Sequence, residues 1–141
     1  MESREFVRLL KHEAIDEMVK VVLKKLKAPR SPQPIPEAED AIQRGISEFY
    51  NAGARTEQQQ AAWFDQLSEK QQEMLAEIIL DCAELSASSI CTLIDGVGGD
   101  YEGTFELYAI DSKGRRRLIN PQNTDMLHDL LSEVCAEDRE R

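Results

Sequence analysis

The sequence predicts a mainly α-helical domain of the α+β class. Four helices, an antiparallel β-hairpin and a C-terminal helix packed on a long central helix are expected in that order. Apolar residues recur at three- and four-residue intervals through most of the chain, which is the period of amphipathic helices. Two-residue alternation occurs from Thr104 to Asp111, immediately before a turn sequence. Parallel βαβ units are not expected, because predicted strands do not alternate with the helices.

Composition fits one soluble globular domain and disfavours general nucleic-acid binding. The chain has 141 residues, 41% of them hydrophobic and 31% charged. The formal net charge is −10, whereas contacts to phosphates need an excess of Lys and Arg. Residues 1–30 carry eight basic and five acidic side chains, and residues 31–141 carry nine and twenty-two. The basic N-terminal segment either complements the acidic remainder or meets a different partner.

Cysteine usage and hydropathy predict a cytoplasmic protein without a membrane span. Cys82, Cys91 and Cys135 form no CxxC pair, and we expect buried free thiols in a reducing compartment. The N-terminus lacks a signal-peptide pattern. The longest uncharged run, Leu85 to Ile94, is too short and too rich in serine to cross a bilayer.

Residues 1–28 are predicted to form an N-terminal amphipathic helix whose last turns are rich in lysine. Residues 29–36 contain four prolines and should be an extended linker. Two arrangements follow: the helix packs within its own chain, or it is a swapped arm on a second subunit of a homodimer. The remaining chain comprises a helical body with the hairpin, 37–135, and a solvated tail, 136–141.

Two shorter helices are expected at the start of the body. The first covers residues 37–51, and Asn51 to Gly53 should end it. A capping box formed by Thr56 and Gln59 should start the second, which carries the only tryptophan of the chain.

The long central helix should begin at a second capping box, Ser68 with Gln71, and end near Gly96. Its apolar side contains a seam with alternating three- and four-residue steps, as in an antiparallel bundle or coiled coil. The seam consists of Leu75, Ile78, Cys82, Leu85 and Ser89.

The hairpin is predicted from the turn sequence Asp111-Ser-Lys-Gly114, in which Gly114 should take a positive φ. If Asp111 faces Arg115, then Leu107 faces Ile119. The last helix follows Asn120-Pro121, with apolar residues at helical spacing along one face.

The loop from Asp95 to Glu102 is the most distinctive candidate site. It holds three glycines together with Asp95, Asp100 and Glu102, whose carboxylates could bind a divalent cation. The alternative is a helix stop and strand entry in which the glycines provide positive φ. No other cofactor is predicted.

Two further groups of charged residues are candidate sites. The long helix carries carboxylates at three- and four-residue intervals, which would either hold Mg²⁺ or form a solvated face. Arg115 and Arg117 of the hairpin, with Lys24 and Lys25 of the first helix, are candidate partner-binding residues. His128, beside Asp125 and Asp129, is expected to be a surface histidine.

The sequence contains no motif that assigns a catalytic residue. The first functional hypothesis is therefore a small acidic interaction module of the inhibitor, adaptor or chaperone type, which acts by stoichiometric binding to a protein partner. The second is a metal-dependent phosphohydrolase that uses the helix carboxylates. The third is the subunit of a homo-oligomeric scaffold.

Overall fold

The structure is a computed structural model that describes residues 1–35, 41–97, 105–122 and 124–140. The predicted fold class is confirmed: four helices precede an antiparallel hairpin, and the C-terminal helix packs on the long helix. The elements are α1 (Ser3–Leu10), a π-helical turn (Lys11–Asp16), α2 (Glu17–Lys27), α3 (Ala41–Phe64), α4 (Glu69–Ile94), β1 (Tyr108–Ile110), β2 (Arg116–Leu118) and α5 (Leu127–Arg139).

The chain divides into two compact units. Unit 1 contains Met1–Met18 and Ile78–Arg141, and unit 2 contains Val19–Glu77. Among the described residues, no helix is both long and apolar enough to cross a membrane.

The core of unit 1 is formed by α1, the π-helical turn, the second half of α4, the end of the hairpin and α5. Its buried residues are Val7, Ile15, Ala87, Cys91, Ile119, Leu127, Leu130, Leu131, Val134 and Cys135. Burial of these apolar side chains is the main stabilising contribution to the unit.

The predicted α4 seam is not the face that packs in this core. Ala87 and Cys91 are buried instead, and Leu80, Ala83 and Ile94 pack against the core from the same side of the helix. Ile78 and Leu85 are 52% and 68% exposed, and Cys82 and Ser89 are also exposed. The expectation of three buried thiols is therefore correct for Cys91 and Cys135 and wrong for Cys82.

The hairpin has the predicted register. Tyr108 pairs with Leu118, and the ladder extends so that Ile119 N–H donates to Leu107 O (2.7 Å) and Asp111 N–H donates to Arg115 O (3.1 Å). Gly114 has φ +76°, as the turn sequence predicts.

In unit 2, α3 is a single long helix where two shorter helices were predicted. α3 is continuous through Asn51 and Gly53, and Thr56 Oγ1 donates to the carbonyl of Ala52 (3.1 Å) as an interior helix residue. Asn51, Ala54 and Glu57 belong to its buried face. The predicted break was wrong because Asn51 and Gly53 serve tertiary contacts, described below, that their local propensities do not reveal.

Both predicted ends of α4 are confirmed. The helix starts after Ser68, whose backbone N–H donates to Gln71 Oε1 (2.9 Å). It ends in a Schellman motif: Gly96 has φ +71°, and Val97 N–H donates to Thr92 O (3.0 Å).

Candidate functional site

Asp95 connects the end of α4 with the start of α5. Its side chain is only 4% exposed. The carboxylate oxygen Oδ2 accepts a hydrogen bond from the backbone N–H of His128 (3.0 Å) and lies 2.8 Å from Nδ1 of the same residue. His128 is the second residue of α5, so Asp95 supplies the acceptor and the negative charge that an N-terminal helix cap provides.

The contact with Asp95 assigns the proton to one of the two ring nitrogens of His128. Because a carboxylate oxygen only accepts, Nδ1 of His128 carries the proton in the pair with Asp95. The other nitrogen, Nε2, lies 3.5 Å from Asp129 Oδ1. Burial, and secondarily the charge of Asp95, raises the pKa of the nearby Cys91 thiol to about 11. Cys91 is therefore a protonated core residue at neutral pH.

The predicted cation site is only partly within the described structure. Asp95 has the position given above, whereas Asp100 and Glu102 lie outside the described residues. Within the described ranges, no group of three or more His, Cys, Asp or Glu side chains is placed to hold a metal ion. Metal binding by this loop stays a prediction.

Two of the α4 carboxylates bind the last helical residue of α5. Arg139 Nη2 lies 3.1 Å from Asp81 Oδ1 and 2.6 Å from Glu84 Oε2. A groove of about 360 Å³ runs beside this cluster and is lined in part by Leu85 and Leu131. Burial, with a contribution from Glu84, raises the pKa of Cys135 in the groove to about 11. The use of helix carboxylates by a phosphohydrolase stays a prediction.

The hairpin arginines contact groups of their own unit. Arg115 Nε lies 2.6 Å from Asp111 Oδ2, and Arg117 forms an ion pair with Glu2. The guanidinium of Arg116 lies 4.3 Å from the centre of the Tyr108 ring. Arg115 and Arg117 are 76% and 57% exposed at the side chain, so both also remain accessible to a partner.

The two candidate lysines of α2 differ in their surroundings. Lys25 Nζ lies 3.3 Å from Glu57 Oε1, whose side chain is 8% exposed. Lys24 is exposed. Lys25 therefore has a structural role in unit 2, and its binding of a partner stays a prediction.

A second polar cluster, centred on the buried Glu57 and not indicated by the sequence, holds the proline-rich segment on α3. Arg30 donates to both carboxylate oxygens of Glu57, from Nε (2.9 Å) and Nη2 (2.7 Å). The Arg30 side chain lowers the pKa of Glu57 to about 2, against its own burial and with help from Lys25. The same guanidinium lies 4.9 Å from the centre of the Tyr50 ring.

Two rows of exposed residues contain large apolar side chains. On α3, Ile42, Ile46 and Phe49 are 74%, 65% and 84% exposed, and we call these three residues the α3 ridge. On α4, Ile78, Leu85 and Leu93 are 52%, 68% and 47% exposed, and Cys82 and Ser89 between them are also exposed. Exposed apolar groups that recur on successive helical turns are typical of protein-binding surfaces.

Comparisons with protein-family models, with curated proteins and with solved structures found no match to this chain.

Proposed function

We propose that this protein is a small acidic interaction module of the cytoplasm, which acts by stoichiometric binding to another protein. The observation that carries the proposal is the α3 ridge. Ile46 and Phe49 lie on adjacent turns of one helix face, and each exposes most of its side chain to solvent.

The ridge is not required for the packing of unit 2. The buried residues of α3 begin at Asn51, beyond the ridge, and Ile46 and Phe49 expose 65% and 84% of their surface, so both are available to a partner without unfolding the unit. An amphipathic helix that presents residues at i, i+3 or i+4 fits an apolar groove on another protein. Phe49 supplies the aromatic anchor that such interfaces favour.

The charges predict the rim of the partner's groove. On α3, Arg44 Nε lies 3.1 Å from Glu48 Oε1, so this pair compensates itself beside the ridge. The net charge of −10 favours encounter with a positively charged protein. We therefore expect an apolar groove with basic residues around it, and an association rate that falls as salt rises.

The test is capture from a native lysate on the immobilised full chain, followed by native mass spectrometry of the eluted complex. Wild type should retain a partner in a fixed stoichiometric ratio. The double variant Ile46→Ser/Phe49→Ser should lose it, because the apolar anchors are removed. Gln58→Ser/Gln59→Ser, at exposed positions of the same helix, is the matched control and should retain the partner.

Two results would count against the proposal. One is capture of the same partner, in the same amount, by wild type and the ridge variant. The other is retention of nothing but copies of the chain itself, which would favour a homo-oligomeric scaffold. Far-UV circular dichroism of each variant verifies that the helices are intact.

A further inference from the structure

We propose that residues 31–35 of the proline-rich segment are a docking site for another protein, which binds them in an aromatic-lined groove with an acidic rim. The contacting residues are two dipeptides, Ser31-Pro32 and Pro34-Ile35, one on each side of Gln33. This surface is separate from the α3 ridge, and the proposal does not depend on the interaction function above.

The sequence restricts the segment to the polyproline II conformation. Each proline fixes its own φ and disfavours the α region for the residue before it. Within residues 28–35, only Arg30 is neither a proline nor followed by one. The structure agrees, because residues 29–35 belong to no helix or strand. A polyproline II helix forms no internal hydrogen bonds, so its main-chain groups are available to other parts of the molecule.

α3 holds the segment from one side. Polyproline II has three residues per turn, so main-chain groups three residues apart point the same way. The N–H of Arg30 donates to Glu57 Oε2 (3.2 Å), and the N–H of Gln33, one turn later, donates to Asn51 Oδ1. The Arg30 guanidinium and the Gln33 carbonyl bond to the same two side chains of α3. The segment is therefore fixed at two successive turns before a partner binds.

The residues on both sides of Gln33 are exposed. Ile35 exposes 45% of its surface, and Ser31, Pro32 and Pro34 are exposed as well. The two dipeptides are three residues apart, so they present the same side of successive turns. Aromatic-lined grooves recognise proline-rich segments in this conformation. Because the segment is already held extended, docking costs little further conformational entropy.

The charge around the segment favours a groove with an acidic rim. From Met18 to Pro36 the chain carries five basic side chains and no acidic one, although the net charge of the whole chain is −10. Two of the five share the carboxylate of Glu57 on α3, which leaves the stretch positive. Lys24 and Lys27, at the end of α2, are exposed. Carboxylates along the rim of the groove would complement their ammonium groups.

The probe is a panel of purified SH3 and WW domains, whose ligand grooves are lined by aromatic side chains. Fluorescence anisotropy of each labelled domain, titrated with the full chain, measures the affinity. At least one domain with an acidic rim should bind with a Kd in the micromolar range. Pro32→Ala/Pro34→Ala should weaken that binding about tenfold or more, because it removes the ring contacts and loosens the segment. Gln33→Ala, which keeps the main-chain bonds to Asn51, is the matched control and should bind like wild type.

Two further variants separate attachment from charge. Asn51→Ala leaves both prolines in place but frees Gln33 from α3, so binding of the same domain should weaken about threefold or more. Lys24→Ser/Lys27→Ser should slow association and weaken binding less than the loss of the prolines does. Far-UV circular dichroism verifies that the helices of each variant are intact.

Nuclear magnetic resonance of the isotope-labelled wild-type chain locates the contact without any substitution. When the domain is added, the amide signals of Ser31 and Ile35 should shift. The amide signals of Ile46 and Phe49, on the α3 ridge, should stay in place.

Three outcomes would overturn the proposal. One is a panel in which no domain binds wild type more tightly than Pro32→Ala/Pro34→Ala. Another is binding that requires Lys24 and Lys27 but not the prolines, which would show general attraction to an acidic surface. The third is a complex whose shifted amides lie on the α3 ridge, which would assign the domain to the ridge and leave the proposed function standing.

Discussion

The carboxamide of Asn51 forms two hydrogen bonds with the main chain of Gln33. Its Oδ1 accepts from the Gln33 N–H (2.8 Å), and its Nδ2 donates to the Gln33 carbonyl (2.7 Å). An interior residue of α3 thus pairs with the extended, proline-rich segment as a neighbouring strand would. Because Asn51 is 5% exposed, the segment is attached to the helix through a largely buried contact.

The first prediction concerns this contact. Asn51→Ala removes both hydrogen bonds, and we expect the free energy of unfolding to fall by about 1–3 kcal/mol, the usual cost of leaving buried polar groups unpaired. Urea denaturation followed by circular dichroism measures it. Gln59→Ala, at an exposed position of the same helix, should change stability by less than about 0.5 kcal/mol. Equal effects of the two substitutions would contradict the structural role of Asn51.

The second prediction compares two glycines of α3. A Cβ at Gly45 would meet nothing within 4 Å, whereas one at Gly53 would lie 3.1 Å from Arg30 Nη2. Gly45→Ala should therefore stabilise the protein by about 1 kcal/mol through helix propensity. Gly53→Ala should stabilise it less, because the guanidinium that holds Glu57 must move. The measurement is the shift of the urea unfolding midpoint of each variant relative to wild type. A larger gain in stability for Gly53→Ala than for Gly45→Ala would contradict the packing of Arg30.

These residues show which part of the fold follows from local sequence. Signals that act within a few residues, such as the Ser68–Gln71 cap, the Gly96 helix stop and the Gly114 turn, gave the ends of α4 and the register of the hairpin. Asn51 and Gly53 carry the same kinds of local signal but lie inside a helix. Their role depends on Arg30 and Gln33, far away in the chain, and no local propensity encodes such a contact.

The candidate sites show the same division. A seam with three- and four-residue steps was visible in the sequence, but periodicity alone does not tell which face of α4 meets the core. The contact between Asp95 and His128 spans 33 residues and could not be inferred from spacing. The residues next to His128 in the chain do not indicate that Asp95, at the end of α4, lies closer to its ring than Asp129 does.

A third prediction follows from the depressed pKa of Glu57. Its ordinary pKa of 4.5 is lowered to about 2 in the folded protein, chiefly by the hydrogen bond from Arg30. The stabilisation that the ionised Glu57 gives the folded protein is fully present above the pKa of Glu57 in the unfolded chain, near 4.5. It is lost as the pH falls toward 2, the pKa of Glu57 in the folded protein. Arg30→Gln should therefore make the fall of unfolding free energy between these pH values shallower.

The matched control for this pH experiment is Arg44→Gln, which breaks an exposed pair with Glu48 on the same helix. The plot of unfolding free energy against pH for Arg44→Gln should parallel that of wild type. An NMR titration of Glu57 gives the direct measurement, and a carboxyl that titrates near 4.5 in wild type would contradict the proposed effect of Arg30.

The fourth prediction separates the three thiols. Cys91 and Cys135 are buried and their pKa values are raised to about 11, so both should react slowly with a thiol reagent at neutral pH. Cys82 is exposed and should react first. Mass spectrometry of labelled peptides assigns each rate, and early labelling of Cys91 or Cys135 would contradict their burial.

The fifth prediction distinguishes a helix cap from a metal ligand at Asp95. Asp95→Ala removes the acceptor for the N–H of His128, and we expect a loss of about 1–2 kcal/mol in unfolding free energy. Asp95→Asn keeps an acceptor oxygen and should lose less. Asp125→Ala, an exposed acid just before α5, is the control and should have little effect. If the loop also binds a cation, millimolar Ca²⁺ or Mg²⁺ should raise the melting temperature of wild type more than that of Asp95→Ala. A loss of stability that is the same with and without the ions indicates that Asp95 acts as a cap alone, and full stability of Asp95→Ala would refute the capping role.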